Sequence, residues 1–232
     1  PMVAATGHRI CNDCSNACIY QKQQAVDIPL VESNILGTTL LLPYGVEIYL
    51  LLTNWNPLNI FAPLPNLPTN YKVLVVGQGP AGFSLSHYLL RDGHDVVAID
   101  GLKITPLSFD VNQPIKYWSD YKKNLSERIP GGFGGVAEYG ITPRWDKNNL
   151  TILRLMLQRN SRFKIFGSVS LDSNITMEQV YHLGFDHVAL CTGAAKPKIV
   201  EMRNFLAKGV RTASDFLMTL QSGGAFLEQS IT

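Results

Sequence analysis

The feature that most narrows what this chain can fold into is Gly77-Gln78-Gly79-Pro80-Ala81-Gly82, a G-x-G-x-x-G string set between two stretches of opposite character. Before it, Lys72 to Val76 (K-V-L-V-V) is a β-branched run of the kind a parallel strand buried on both faces needs. After it, Ala81 to Arg91 reads as a helix with Leu85, Tyr88 and Leu89 on one side, and Gly93 stands where a left-handed cap would end it. Asp95 to Ile99 is expected as the second strand, with Asp100 at its end. Strand, glycine turn, helix, strand and acid, in that order, are what a β-α-β unit needs to hold a dinucleotide. The first glycine permits the tight turn, the second lets a pyrophosphate approach the backbone, and the third lets the helix pack on the strand. Pro80 falls in the first helical turn, where a missing N–H costs nothing, and the free N–H groups with the helix dipole hold the phosphates. Asp100 is expected to accept from the ribose hydroxyls. The spacing does not choose between FAD and NAD, and a purely structural glycine turn is the competing reading.

Downstream the alternation continues. Asn148 or Asn149 can cap a helix over Leu150 to Arg159, and Phe163 to Val169 looks like a strand. Thr176-Met177-Glu178-Gln179 fits a capping box for a short helix ending near Gly184, and Phe185 to Cys191 is a further buried strand leading into Thr192-Gly193-Ala194. Residues 71–232 are therefore expected to form an α/β, Rossmann-like domain on a mainly parallel sheet. Residues 1–70 differ in texture. They carry three of the four cysteines, short apolar helices over 31–56 interrupted at Pro43, and a linker holding Pro57, Pro63, Pro65 and Pro68. A small, mainly helical, cysteine-containing N-terminal domain is expected there.

Composition closes off other classes. With 232 residues, 46% hydrophobic and 16% charged, the chain can bury a core and is not disordered. Lys and Arg total 20 against 18 Asp and Glu, which gives no electrostatic reason to expect nucleic acid or an anionic membrane. The longest apolar stretch, Ile35 to Leu52, carries Gly37, Pro43, Gly45 and Glu47, which argues against a membrane span. No export signal is read, so a cytoplasmic, reducing compartment is expected. The chain opens on Pro1 and its last ten residues lack a clear terminal element, so a piece of a longer protein is expected.

Cys11, Cys14 and Cys18 are spaced C-x2-C-x3-C, which can set three thiolates around one centre. In a reducing compartment a metal is favoured over a disulfide, with iron–sulfur, zinc and no metal all open. Cys191 reads as a small hydrophobe in a buried strand. His8, His87, His94, His182 and His187 have no mutual ligand spacing, and His87 reads as packing or surface. Tyr117-Trp118, flanked by Lys116 and Lys122, is read as core or cofactor edge rather than a base-stacking platform. No nucleophile and base pair is nominated.

Val76 to Gly82 is similar to the G-x-G-P-A-G of flavoproteins with two dinucleotide-binding domains, and within them it resembles the small subunit of glutamate synthase and the related part of dihydropyrimidine dehydrogenase. The stretch from Gly131 to Arg144 (G-G-F-G-G-V-A-E-Y-G-I-T-P-R) resembles that family's glycine-rich segment, with Thr142 before Pro143 offsetting the match by one position. Phe185 to Ala194 resembles the later strand and A-T-G turn, with Cys191 where Ala is usual, and Gly209 to Leu217 resembles the lead toward the pyridine-nucleotide domain. The resemblance covers most of residues 8–220.

It implies FAD held by Gly77, Gly79, Pro80, Ala81 and Gly82, with Asp100 and Gly101 at the ribose and Val169 at the adenine. The flavin would lie beside Gly132, Gly135, Tyr139, Gly140, Thr192, Gly193 and Ala194. The related flavoproteins carry C-x2-C-x4-C-x3-C-P followed by I-P, and hold iron–sulfur clusters of the 4Fe-4S kind. This chain keeps Ile28-Pro29 but is one residue shorter between its second and third cysteines, with Lys22 and Gln23 near the place of the fourth. Gln21, Gln23 or Gln24 could complete such a site with an amide oxygen, a residue from elsewhere could reach in, or a cluster could keep an open iron. The implied activity is electron transfer from NAD(P)H through flavin to iron–sulfur centres. Only one glycine fingerprint occurs, so the NAD(P)-binding part is expected to be supplied by the rest of the protein or by a catalytic partner subunit, and the piece alone is expected to be inactive. The alternatives are a non-catalytic nucleotide- and metal-binding interaction module and a simple NAD-binding dehydrogenase.

Overall fold

The apolar runs Val73–Val76 and Val96–Ile99, within the strands Lys72–Val76 (β1) and Asp95–Asp100 (β2), lie side by side in the middle of a four-stranded sheet in the computed structural model of the chain. The structure describes residues 13–54, 65–124, 146, 148–193, 198–213 and 215–216. Phe163–Gly167 (β3) and His187–Leu190 (β4) complete the sheet in the order β3-β2-β1-β4, and every pairing is parallel. Central parallel strands are covered on both faces, which is why β1 and β2 show apolar residues throughout rather than alternating with polar ones.

The alternation appears instead in which layer each side chain joins. Val73, Val75, Val96 and Ala98 point into the larger core, beneath the helices Pro80–Arg91 (α4) and Asn149–Gln158 (α5). Leu74, Val76 and Ile99 point to the opposite face, where Val180 of the short helix Met177–His182 (α6) covers them. The expected capping box of α6 is present: Gln179 N–H donates to Thr176 Oγ1, and Thr176 N–H donates to Gln179 Oε1.

Two local expectations are corrected. The inner face of α4 is Gly82, Phe83, Ser86, His87 and Leu90, whereas Leu85 and Leu89 are half-buried and Tyr88 is exposed. Close packing of Gly82 on the strand sets the rotation of the helix, and positions 83, 86, 87 and 90 then follow on the same side. At the start of α5, Asn148 makes no side-chain cap. Its amide instead accepts from Lys123 N–H and donates to the Lys123 carbonyl and to Asp146 Oδ1, tying a distant loop to the helix.

Before the sheet come a helical turn at Asp13–Asn16 (α1) and the helices Ile28–Leu40 (α2) and Gly45–Asn54 (α3). Asp27 caps α2 by accepting from Leu30 N–H, and the break between α2 and α3 holds Pro43 and a left-handed Tyr44. Leu36, Leu40, Val46, Tyr49 and Leu50 belong to the same buried cluster as Val73, Val75 and Phe83, so these helices are part of the main core. Glu47 fastens them. Its carboxylate takes both guanidinium arms of Arg159, at 2.7 and 3.0 Å, and accepts from Ile115 N–H. Arg159 also donates to the carbonyls of Val111 and Gln113. Trp118 is buried in this core, as one of the two readings of Tyr117-Trp118 expected, while Tyr117 is exposed with Lys116 Nζ near its ring. No helix among the described residues is long and apolar enough to cross a membrane.

Candidate functional site

Each parallel strand hands its carboxyl end to a loop at the same edge of the sheet, and the sequence-nominated residues of those loops are neighbours there. β1 runs into Gly77, β2 into Asp100 and Gly101, β3 toward Val169, and β4 into Thr192 and Gly193. From β1 the chain goes to β2 on one side, while β4 occupies the other side. A crevice at such a reversal of strand order is where open α/β sheets hold their ligands.

The three glycines of the turn meet three different environments. Gly77 has φ +94°, a left-handed conformation that a Cβ would strain, and a side chain there would also collide with the Cys191 carbonyl at the end of β4. Gly82 lies in the first turns of α4, and a methyl on it would be driven into the Gly77 carbonyl oxygen. Gly79 is the N-cap of α4, and among the described residues, its chain neighbours aside, no atom lies within 4 Å of the place where a Cβ would stand. The first and third glycines are thus filled against protein, and the second faces open space at the positive end of a helix. Pro80 and Ala81 follow as the first residues of α4.

Asp100 is buried, and both of its carboxylate oxygens are engaged: Oδ2 accepts from Gln78 N–H at 2.7 Å and Oδ1 from Leu102 N–H at 2.8 Å. The acid therefore fixes the glycine turn to the end of β2, a role the sequence did not reveal. An ionised carboxylate has about four acceptor positions, so it retains capacity for a ribose. Gln78 is fully buried beneath the turn, its Nε2 donating to the Gly77 carbonyl while Oε1 has no partner among the described residues. Val169 N–H donates to the Asp100 carbonyl and Ser168 N–H to the Leu102 carbonyl, which brings the end of β3 against the same loop. Ser170 Oγ lies 2.8 Å from where a Cβ on Gly101 would be, so a side chain there would require the serine hydroxyl to rotate away. Thr192 Cα is close to Gly77 as well, and Gly193 has φ +62°.

Farther from the turn, Arg154 of α5 is buried and donates from Nη1 to the Thr105 carbonyl, in the loop that continues from Asp100. Its Nε has no partner among the described residues, and burial lowers its pKa to about 10. His87 is packed under α4, where burial first and then the nearby Arg91 lower its pKa to about 4. It is a packing histidine, one of the two readings given to it. The Cys191 thiol is half-buried beside the core, and burial raises its pKa.

The remaining nominated residues divide as follows. Cys14 lies in α1, exposed, and Cys18 lies just past it, half-buried with its N–H donating to the Ser15 carbonyl. Neither is in a disulfide. Among the described residues no three His, Cys, Asp or Glu side chains gather as a ligand set. Cys11, Gly132, Gly135, Tyr139, Gly140 and Ala194 lie outside the described residues, together with the glycine-rich stretch 131–144.

No family model matches the chain. It is 73% identical over 231 residues to an uncharacterized protein of Rickettsia prowazekii (strain Madrid E), an alignment covering 100% of this chain and 33% of the relative. It is 25% identical over 154 residues to the glutamate synthase [NADPH] small chain of Bacillus subtilis (strain 168), covering 66% of this chain and 25% of that protein. It is 34% identical over 98 residues to a flavin-containing monooxygenase of Arabidopsis thaliana, covering 37% of this chain and 21% of that protein. The chain thus spans a third or less of each relative's length. By these comparisons it is distantly similar to oxidoreductases, flavin-containing ones among them.

Proposed function

We propose that the chain is the FAD-binding portion of an iron–sulfur flavoprotein oxidoreductase, akin to the glutamate synthase small subunit, that passes electrons from NAD(P)H toward iron–sulfur centres. The observation that carries this is Gly79: an N-cap glycine that no other described residue approaches within 4 Å, its chain neighbours aside, between two glycines filled by protein. The N-cap position already favours glycine, and the space beyond it adds room for a pyrophosphate to approach the backbone. The chain's own residues then have distinct tasks. The N–H groups at the start of α4 hold the phosphates, and Asp100, already fixing Gln78, turns its remaining lone pairs to the ribose beside Gly101. Val169, whose N–H is taken by the Asp100 carbonyl, offers its own carbonyl at the adenine, and Thr192 and Gly193 close the other side. By resemblance Gly132, Gly135, Tyr139, Gly140 and Ala194 line the flavin. When bound, the flavin supplies hydride acceptance and one-electron release, which no side chain of the protein provides.

Cys11, Cys14 and Cys18 are proposed as thiolate ligands of the cluster. The NAD(P)-binding part is proposed to come from the rest of the protein or a partner subunit, in the cytoplasm. The similarity to a glutamate synthase small chain and to a flavin-containing monooxygenase supports the flavin. Anaerobically purified protein, reconstituted with FAD, iron and sulfide, should show flavin bands near ~450 nm and a broad shoulder near ~400 nm. The shoulder should disappear in Cys14→Ala while the flavin bands persist. Protein that stays colourless after reconstitution refutes the assignment and favours the interaction-module alternative.

A further inference from the structure

Two arginines belong to α5 and its cap, and only one of them meets a carboxylate. Arg159, the cap, gives its guanidinium to Glu47. Arg154, within the helix, is 6% exposed and stands among Ile152, Leu153, Leu155 and Leu157, all buried. It takes part in none of the ion pairs among the described residues. The acids of the stretch 100–120 are engaged elsewhere: Asp100 by the Gln78 and Leu102 N–H groups, Asp110 by the Asn112 N–H, and Asp120 by the Ser119 hydroxyl. A buried cation left without an anion is costly, and removing its charge from water is compensated only by a close partner of opposite sign.

The guanidinium is also held in a definite pose. Nη1 donates to the Thr105 carbonyl at 2.8 Å. Thr105 belongs to a loop fastened to the end of β3, where the Leu102 carbonyl accepts from Ser168 N–H and the Ile104 N–H group packs against Gly167. With Nη1 so fixed, Nε and Nη2 donate to no described residue. These two nitrogens form one edge of the planar fork, whose parallel N–H groups match two oxygens of a single anion. A brace for one carbonyl needs neither that edge nor a permanent charge. We propose that the Nε–Nη2 edge of Arg154 is a receptor for an oxyanion, a phosphate or carboxylate group, on the α5 side of the loop that follows Asp100. The site rests on neither the flavin nor the thiolates of the proposed function, and its test uses no cofactor, so the two fail separately.

The chain is titrated with inorganic phosphate and, separately, with acetate, each against sodium chloride at matched ionic strength, while circular dichroism follows thermal unfolding. At least one of the two oxyanions should raise the melting temperature, by roughly 3 °C or more at about twenty times its dissociation constant. Arg154→Met should abolish the rise. Arg154→Lys keeps the charge and a donor for the Thr105 carbonyl but has no fork, so it should weaken the oxyanion roughly five-fold or more, and it decides the matter if the methionine variant does not fold. Any of three results overturns the proposal: no rise beyond the chloride control with either oxyanion, a rise undiminished in Arg154→Lys, or a rise lost in Gly79→Ala and kept in the Arg154 variants, which assigns the anion to the start of α4.

Discussion

A single methyl group placed at two positions of the glycine turn separates ligand binding from folding. Gly79→Ala adds its methyl in open space, at a backbone conformation with φ −80° that any residue adopts. Two small effects nearly cancel. Alanine is a poorer N-cap than glycine by roughly 0.5–1 kcal/mol, and it loses less unfolded-chain entropy, a gain of about 0.4–1 kcal/mol. The melting temperature should therefore move by less than about 2 °C, given some 2–4 °C per kcal/mol at this chain length. The same methyl occupies the space a pyrophosphate would use, so FAD affinity, read by fluorescence quenching or calorimetry, should fall at least ten-fold, about 1.4 kcal/mol. Gly82→Ala acts in reverse. Its methyl meets the Gly77 carbonyl oxygen, a backbone atom that cannot swing aside, so α4 must lift from β1 at about 1–3 kcal/mol and roughly 3–10 °C. FAD binding as tight to Gly79→Ala as to the unmodified chain would refute the view that this glycine is kept for a phosphate. A Gly79→Ala protein that melts far below the original would refute the geometric premise.

Three further outcomes follow from named contacts. Asp100→Asn turns an amide N–H₂ toward one of the two N–H donors the carboxylate now accepts from, so the variant should lose about 1–3 kcal/mol in denaturant unfolding and bind FAD more weakly; unchanged stability would show that the turn is held by other means. Arg159→Met leaves the half-buried Glu47 carboxylate with Ile115 N–H and without its paired cation, and should cost about 2–3 kcal/mol, most of it recovered in Glu47→Gln/Arg159→Met, where no charge is stranded. Neutral His87 should make the protein acid-sensitive. Its folded pKa, lowered to about 4, lies below the ordinary 6.5, so the unfolded chain takes up a proton first as pH falls. Stability is complete above about pH 6.5 and declines toward pH 4 by an amount on the order of 3 kcal/mol, and His87→Leu should flatten that slope in urea titrations at stepped pH.

What the sequence revealed was local. Gly77 to Gly82 announced a turn because spacing and neighbours are contiguous, and Thr176 and Gln179 announced a capping box for the same reason. What it did not reveal depends on residues far apart. Glu47 and Arg159 are separated by 112 positions, and each alone reads as an ordinary surface charge. Asp100 was expected to face only a ribose, since no sequence rule says that its carboxylate reaches back 22 positions to the Gln78 N–H. The face of α4 was misplaced for a related reason. Hydrophobicity favoured Leu85, Tyr88 and Leu89, but contact between Gly82 and Gly77 sets the rotation and sends Phe83, Ser86, His87 and Leu90 inward. Asn148 looked like a helix cap until its amide found Lys123, 25 positions earlier.

The Glu47–Arg159 pair also sets a timetable during synthesis. The helical hairpin carrying Glu47 leaves the ribosome first, but its anchoring cation lies 112 residues later, and at about 5–20 residues per second that is a wait of roughly 6–22 s. Until β1 and α4 follow, the nascent hairpin shows water Leu36, Leu40 and Leu50, which are destined for the core. Its apolar side chains can be covered once β1 and α4 have followed, but its anchoring ion pair waits for the residue that caps α5.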